Sequence, residues 1–318
     1  MQLKIGSIVA KRGEKSSGYV SIPGTNIEIP ITLIAGESAG KTVLITSGVH
    51  NSEYTGIETA IQLAQEFLPV HVAGNIIIIH PLNISGFENR TMSVVAEDGK
   101  NLNRIFPGDP NGTEGDKISN FIATVLEGQT DFLIDLHAGD GYETLTPYVY
   151  YVGAAEMNVV KESKAMAEKV NVPFMVQSFI STGGLYNYAG TCGIPSILIE
   201  RGGEARWTEP EIELYKEDVK NVLRHLSVLE GKVKINNHRP VEVTNVCYEN
   251  ASATGCWYPC KQVGDRIKIG EVLGVIKDYF GNTLQTCRAK SNGIILYQVS
   301  SLCIIRNGSM ITYGKINR

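Results

Sequence analysis

The sequence predicts an α/β protein: a mixed, largely parallel sheet with helices on both faces, followed by a small all-β barrel or sandwich module. Two observations support this fold class. Between residues 41 and 229, near-continuous Val/Ile/Leu strands alternate with helical segments, which is typical of a parallel sheet covered on both faces. After the stretch "EGKVKINNHRP" the helical pattern stops, and short strands separated by turn residues follow.

Hydrophobic periodicity and the positions of Gly and Pro predict the individual elements. Residues 1–45 are expected to form short strands, because Gly and Pro interrupt them. Buried strands are predicted in "KTVLITSGV", "GNIIIIHPLN", "TDFLIDLH", "TPYVYYVG", "VPFMVQSF" and "GIPSILIE". Helices are predicted in "EYTGIETAIQLAQEFL", "GDKISNFIATVLEG", "MNVVKESKAMAEKV" and "TEPEIELYKEDVKNVLRHLSVL". The change in pattern predicts two domains, residues 1–235 and residues 241–318.

Composition and charge exclude several classes of protein. The 318 residues carry a formal net charge of −4, which argues against a nucleic-acid partner. The sequence has no apolar run of about 18 residues and no signal-peptide core at its start, so no membrane association is expected. The six cysteines are scattered, which indicates reduced, mostly buried thiols in a cytoplasmic protein. An added β module often supplies an interface, so the sequence leaves a homo-oligomer open.

Acid–base residues stand where three of the buried strands end. His50 follows "VLITSGV" with Glu53 three positions later, His137 ends "DFLIDLH", and Glu200 ends "PSILIE". In an open α/β sheet, ligands collect at the carboxyl ends of the strands. Two imidazoles and a carboxylate with an open position for water form a common hydrolytic zinc site. A single histidine at a strand end is more often structural, and His80, which has no acidic partner at ligand spacing, is interpreted in that way.

Three polar loops add candidate residues. "GKNLNRIFPG" places Asn103 beside Arg104, and a guanidinium next to an amide suits a substrate carboxylate; the alternative is a solvated loop arginine. "STGGLYNYAGTCG" is either part of a pocket wall or an ordinary loop with a short helix. "HAGDGYE" is a candidate rim of the site, but nothing in it selects a substrate.

Together these motifs resemble a known family. The order "VH-NS-E", "NLNRIFPG", "DLH", "IERGG" resembles the zinc carboxypeptidase superfamily, and most closely its succinylglutamate desuccinylase/aspartoacylase branch, over residues 1–230. The segments "GDRIKIGEVLGVIKDYFG" and "AKSNGIIL" resemble the β-barrel appendage of that branch, which is similar to biotinyl/lipoyl carrier domains. Lys290 lacks the Met or Asp neighbours of a modified carrier lysine, which argues against a carrier function.

The resemblance implies a metal centre and a proton carrier. His50, Glu53 and His137 match the ligands of one Zn²⁺ per chain. Glu200 matches the carboxylate that acts first as general base and then as general acid.

The resemblance also implies residues that contact the substrate. Asn103 and Arg104 match the pair that binds the substrate carboxylate. Arg90 matches the arginine that stabilises the oxyanion, although the number of residues between this arginine and the position of Arg104 varies in the family. One departure is Asn51, where the family commonly has Gly; a side chain there is able to narrow the approach to the metal, but it leaves the ligands intact. Asp135, two residues before a candidate ligand, either orients that imidazole or caps a turn.

The function implied is a zinc-dependent amidohydrolase, or deacylase, that cleaves a small N-acylated amino acid or a related molecule. A metallocarboxypeptidase acting on peptides would use the same centre, so the motifs leave this alternative open. A non-catalytic binding protein on the same fold would be expected to have lost a ligand or the base, and all are present. The acyl group and the amine are not specified by the sequence.

Overall fold

The computed structural model describes residues 2–236 and 239–316. Within these ranges the backbone forms one 13-stranded sheet, a two-stranded sheet and a four-stranded sheet. The strands of the first part are β1 (Leu3–Ile5), β2 (Ile8–Ala10), β3 (Lys15–Ser21), β4 (Glu28–Ala35), β5 (Ser38–Ser47), β6 (Ala73–Pro81), β7 (Phe132–His137), β8 (Glu143–Leu145), β9 (Tyr148–Val152), β10 (Phe174–Ser178) and β11 (Ser196–Glu200).

The helices all belong to this first part of the described chain. They are α1 (Tyr54–Glu66), α2 (Ile84–Asn89), α3 (Glu114–Gln129), α4 (Met157–Ala167), α5 (Leu185–Thr191) and α6 (Glu209–His225). The four longer helices agree with the periodicity of the sequence. The short helices α2 and α5 span six and seven residues, too few for a helical period to be recognised.

The large sheet brings the three predicted site strands side by side. Along the sheet the order is β3-β4-β6-β5-β7-β11-β9-β10, and β7 pairs in parallel with both β5 and β11. Glu200 is the direct cross-strand partner of His137. Since parallel strands end at the same edge of a sheet, the loop after β5 and the last residues of β7 and β11 meet there.

Helices cover both faces of this sheet, as predicted. Along β5, Leu44 packs in one hydrophobic core together with α3 and α5. Its neighbours Val43 and Ile45 pack in a second core with α1, α4 and α6. Alternate residues of a strand face opposite sides of the sheet, so a continuously apolar strand is buried by helices on both faces.

The C-terminal part is built from antiparallel strands and joins the same sheet. Its strands are β12 (Val241–Asn250), β13 (Gly255–Pro259), β14 (Arg266–Ile267), β15 (Val272–Lys277), β16 (Thr283–Arg288), β17 (Gly293–Val299), β18 (Cys303–Ile304) and β19 (Ser309–Ile316). β12 pairs in parallel with β10, and β17 pairs with β8. Backbone hydrogen bonds therefore cross the predicted boundary at residues 235–241. That boundary, and the likeness to carrier domains, stay predictions.

The six cysteines are free thiols, but the expectation that most are buried is wrong. Only Cys287 is buried, whereas Cys192, Cys260 and Cys303 are exposed. Four of the six lie on strands of the C-terminal part: Cys247, Cys256, Cys287 and Cys303.

No helix of the described residues combines the length and the apolar character needed to cross a lipid bilayer.

Candidate active site

His50, Glu53 and His137 form a compact group at the sheet edge. Glu53 lies between the imidazoles, with Oε1 2.7 Å from Nδ1 of His50 and Oε2 2.8 Å from Nδ1 of His137. The two rings are edge to face with centroids 5.0 Å apart, and one ligand atom from each residue lies within 4.8 Å of the others. Two imidazole nitrogens and a carboxylate oxygen are a donor set that Zn²⁺ accepts, so these residues fit the predicted metal.

The loop after β5 places the first two of these residues. Leu82 N–H donates to the Ser47 carbonyl and Asn83 N–H to the Gly48 carbonyl, both at 2.9 Å, which fixes the exit of the strand. Glu53 is the N-cap residue of α1. Asn51 is buried, and its Oδ1 accepts from Asn83 Nδ2 at 3.1 Å. Asn51 is not among the residues that line the cavity of the site, and its effect on the approach to a metal stays a prediction.

Each imidazole is also held through its other ring nitrogen. Asp135 Oδ2 lies 3.2 Å from Nε2 of His137, while Thr46 donates to Asp135 Oδ1 at 2.7 Å. Asn101 Oδ1 lies 3.2 Å from Nε2 of His50. When Nε2 carries the proton and donates to these oxygens, the lone pair of Nδ1 remains for a cation. The structure thus favours the orienting role of Asp135 over a turn cap.

Asn101 was missed by the sequence reasoning, although it opens the motif "NLNRIFPG". Its side chain caps the turn Leu102–Arg104 by accepting from Asn103 N–H at 2.9 Å. Asx residues are common caps, and a cap needs no second role. Only the proximity of His50 shows the contact with a candidate ligand.

The charged side chains of the group shift one another's pKa values. Burial would raise the pKa of Glu53, but His137 and His50 outweigh it and lower that pKa to about 2. Burial would lower the pKa of His137, yet the carboxylates of Glu53 and Asp135 raise it well above its usual range. The metal-free group therefore favours an ionised Glu53 beside a protonated His137, and a bound cation would take the place of that proton.

These residues open into one cavity of about 430 Å³. Its walls come from the sheet edge, the loop 101–104, the segment 178–187 and the C-terminal strands. The lining residues are His50, Glu53, Ser93, Asn101, Asn103, Arg104, His137, Ala138, Asp140, Glu143, Leu145, Tyr148, Tyr150, Ser178, Ile180, Thr182, Gly184, Tyr186, Asn187, Leu198, Glu200, Tyr248, Tyr297 and Ser309. The pocket-wall interpretation of "STGGLYNYAGTCG" is supported, and part of it is also the short helix α5.

Glu200 reaches the cavity from the end of β11. Its Oε2 is buried without a hydrogen-bond partner in the described part of the chain. Burial raises the pKa of Glu200 well above its usual range, and the charges of Glu53 and Glu143 raise it further. A carboxylate in such surroundings readily accepts and retains a proton.

Asn103 and Arg104 line the cavity next to the metal group. Asn103 Oδ1 accepts from Leu185 N–H at 3.0 Å, which fixes the orientation of the amide. Arg104 Nη1 donates to the Asn103 carbonyl at 2.8 Å. A guanidinium and an amide donor thus stand together, as the motif predicts.

Arg90 is the one predicted site residue that does not line the cavity. It is exposed at the end of α2, in a left-handed conformation with φ 55°. There it lines a separate, smaller pocket with Ser52, Met92 and Tyr142. Arg90 follows the six-residue helix α2, which the spacing of the motifs does not reveal.

His80 lies outside the cavity. Its Nε2 is 2.9 Å from the Thr32 hydroxyl, and burial lowers its pKa to about 4. This supports the structural interpretation.

The cavity lies where ligands bind in α/β proteins, at the carboxyl ends of adjacent parallel strands of a mixed sheet. The model of the succinylglutamate desuccinylase/aspartoacylase catalytic domain matches residues 39–226, which is more than half of the chain. The chain belongs to this family.

Individual relatives agree with this assignment. The chain is 26% identical to N-alpha-acetyl-L-2,4-diaminobutyric acid deacetylase of Halomonas elongata over 275 residues, 82% of this chain and 79% of the relative. A crystal structure of succinylglutamate desuccinylase/aspartoacylase from Rhodobacter sphaeroides has a TM-score of 0.84 at 26% identity and covers 96% of each chain. The product-bound ectoine utilization protein EutE (DoeB) of Ruegeria pomeroyi has a TM-score of 0.85 at 22% identity over 95% of each chain, a likeness of fold.

Proposed function

We propose that this chain is a zinc-dependent amidohydrolase that removes the acyl group from an N-acylated amino acid or a related small molecule. The observation that carries the proposal is the buried Oε2 of Glu200, which has no hydrogen-bond partner among the described residues and lies in the same cavity as His50, Glu53 and His137. Family membership and the deacetylase relative support the same reaction class.

His50, Glu53 and His137 would hold the zinc ion. When bound, Zn²⁺ supplies a Lewis acid that polarises a carbonyl and makes water acidic. Glu200 takes a proton from the attacking water and later delivers it to the departing amine. Burial and the charge of Glu53 raise the pKa of Glu200, which favours retention of the proton until it is delivered to the amine.

The loop 101–104 would position the substrate. The Arg104 guanidinium and the Asn103 amide bind the carboxylate of the amino acid, which fixes the scissile bond relative to Glu200. We leave Arg90 out of this mechanism, since it is exposed and lines the neighbouring pocket.

The C-terminal strands favour a deacylase over a carboxypeptidase. Tyr248, Tyr297 and Ser309 belong to the cavity wall, and the Tyr248 hydroxyl lies 3.3 Å from that of Tyr150. A cavity of about 430 Å³ closed in this way suits a small molecule better than a polypeptide.

The test is a substrate screen with zinc-loaded protein, in which free amine is measured. N-acetyl, N-succinyl and N-formyl amino acids are compared with blocked peptides, and chelated protein is the control. We expect zinc-dependent release from N-acyl amino acids. Release from peptides alone would establish the carboxypeptidase instead, and purified protein without stoichiometric zinc or turnover would indicate a binding protein.

A further inference from the structure

Two cysteines of the C-terminal part stand opposite each other on neighbouring strands. Cys256 of β13 and Cys303 of β18 are direct register partners in an antiparallel pair. Trp257 N–H donates to the Leu302 carbonyl at 2.7 Å, so the position next to the cysteines is hydrogen-bonded and the cysteines form a non-hydrogen-bonded pair. In such a pair the Cα atoms are about 4.5 Å apart, which lies within the range that a disulfide spans. The backbone therefore holds the two thiols at a distance that a disulfide can bridge.

Both thiols project from the outer face of the four-stranded sheet. The inner face buries their neighbours Trp257 and Ile304, and alternate residues of a strand face opposite sides. Cys303 is exposed and Cys256 is half-buried. β18 is the edge strand of this sheet and has only two residues. The pair is thus open to a reagent in solution, and its edge strand is able to make the small movement that bond formation requires.

No other register pair of the described strands joins two cysteines. Cys247 stands opposite Tyr313, and Cys287 stands opposite Gly274. Cys260 is exposed and lies just beyond the end of β13. The geometry for a cross-strand bond is therefore confined to one pair, and Cys260 provides a matched control.

We propose that Cys256 and Cys303 are a redox modification site, at which a disulfide oxidant such as oxidised glutathione converts the two thiols into a reversible cross-strand disulfide. The Cys303 thiolate attacks one sulfur of the oxidant, whose S–S bond breaks and releases one thiol. The Cys256 thiolate then attacks the sulfur of Cys303, and the second thiol leaves. The protein loses two electrons and two protons, which the two released thiols take up. This inference does not depend on the deacylase function.

The bond fastens a segment that supports the wall of the cavity. Residues 300–308 connect β17 with β19, and Tyr297 and Ser309 on either side of them line the cavity. Ser300 N–H donates to the Tyr142 carbonyl at 2.7 Å, which joins the same segment to the loop after β7. A cross-link within this segment restricts it in the oxidised protein and releases it in the reduced protein.

The first test maps the bond in the full-length protein. Wild-type protein is incubated with oxidised glutathione, the remaining thiols are alkylated, and tryptic peptides are analysed by mass spectrometry. Trypsin releases Cys303 in residues 291–306. Cys256 lies in residues 235–261, which hold two further cysteines. We expect the two peptides to be joined, and to separate when dithiothreitol is added. The link should persist in Cys260→Ser and disappear in Cys256→Ser.

Every other result of this experiment counts against the inference. Glutathione retained on Cys303 without a bond to Cys256 would show that the two thiols do not reach each other. A link that is lost in Cys260→Ser, or that persists in Cys256→Ser, would show that the register pair is not the reactive one. Unmodified peptides would show that the pair does not react with a disulfide oxidant.

Stability and hydrogen exchange report on the restricted segment. After the oxidant is removed, the midpoint of thermal unfolding is expected to lie about 5 °C higher in oxidised than in reduced protein, because a disulfide restricts the unfolded chain. Exchange of the backbone amides of residues 300–308 should slow in the oxidised protein. Cys303→Ser should show neither change. Equal midpoints and equal exchange in the two redox states of the wild type would overturn the inference.

Discussion

The hydroxyl oxygen of Tyr215 lies 2.9 Å from the carbonyl oxygen of His137. The same hydroxyl lies 2.6 Å from the carbonyl oxygen of Ile199, the residue before Glu200. Tyr215 projects from α6 and is fully buried. One phenol thus spans the ends of β7 and β11 and holds a candidate metal ligand and the candidate base at a fixed separation.

Replacing Tyr215 by Phe should weaken both stability and turnover. The change removes one hydroxyl proton that is shared by two buried carbonyl oxygens, while the His137 carbonyl still accepts from Arg201 N–H at 3.2 Å. We expect a loss of about 1 kcal/mol in the free energy of unfolding. We expect kcat to fall about tenfold while KM changes little, because a displacement of the base affects the reaction more than binding. Urea denaturation and steady-state kinetics measure the two effects. The control is Tyr19→Phe, at a side chain that is 63% exposed. An unchanged kcat in Tyr215→Phe would show that Tyr215 does not position the base.

Glu200→Gln should retain zinc and lose most turnover. The amide keeps the size of the side chain but cannot accept the proton of water, so we expect kcat to fall by about 10²–10⁴-fold. Metal content by atomic absorption and kcat from amine release are measured on the same preparations, with exposed Glu37→Gln as control. Undiminished turnover in Glu200→Gln would exclude Glu200 as the base.

Asp135→Asn should weaken zinc binding rather than abolish it. Asp135 accepts from Nε2 of His137 and so holds the imidazole with Nδ1 free. We expect the zinc dissociation constant to rise about 10–100-fold, measured by competition with a chelating dye. The control is Asp265→Asn, at an exposed residue of the C-terminal part. Equal zinc affinities of the Asp135 variant and the wild type would show that Asp135 does not orient His137 for metal binding.

The stability of metal-free protein should depend on pH through Glu143. Its pKa rises from 4.5 to about 8 on folding, so the folded state keeps a proton that the unfolded chain loses in this interval. The contribution is therefore fully present below pH 4.5 and is lost as the pH rises through 8. Denaturant unfolding of wild type and Glu143→Gln should give free energies whose difference shifts in favour of the variant across this window. A difference that does not change with pH would contradict the burial of this acid.

Much of the site could be predicted because its main residues stand at strand ends. His137 and Glu200 end buried strands that pair in parallel, and His50 and Glu53 follow a third. Parallel strands share the edge at which they end, so their last residues converge whatever the rest of the chain does. Residue type and position along the sequence were therefore enough to predict these four site residues.

Side chains in loops and in the C-terminal part could not be assigned in the same way. Asn101 reaches His50 across 51 residues of sequence, and Arg90 is carried to another pocket by α2. Tyr297 and Glu143 share the cavity because β17 pairs with β8.

By itself, the sequence determined the α/β architecture and the identity of the candidate metal group and base, because hydrophobic periodicity and strand ends are local properties of the chain. Only the tertiary structure decided which carboxylates and tyrosines surround them, including Asp140 and Glu143. Those positions depend on pairing between segments far apart in sequence, and no local pattern encodes the direction in which a loop side chain points once such segments meet.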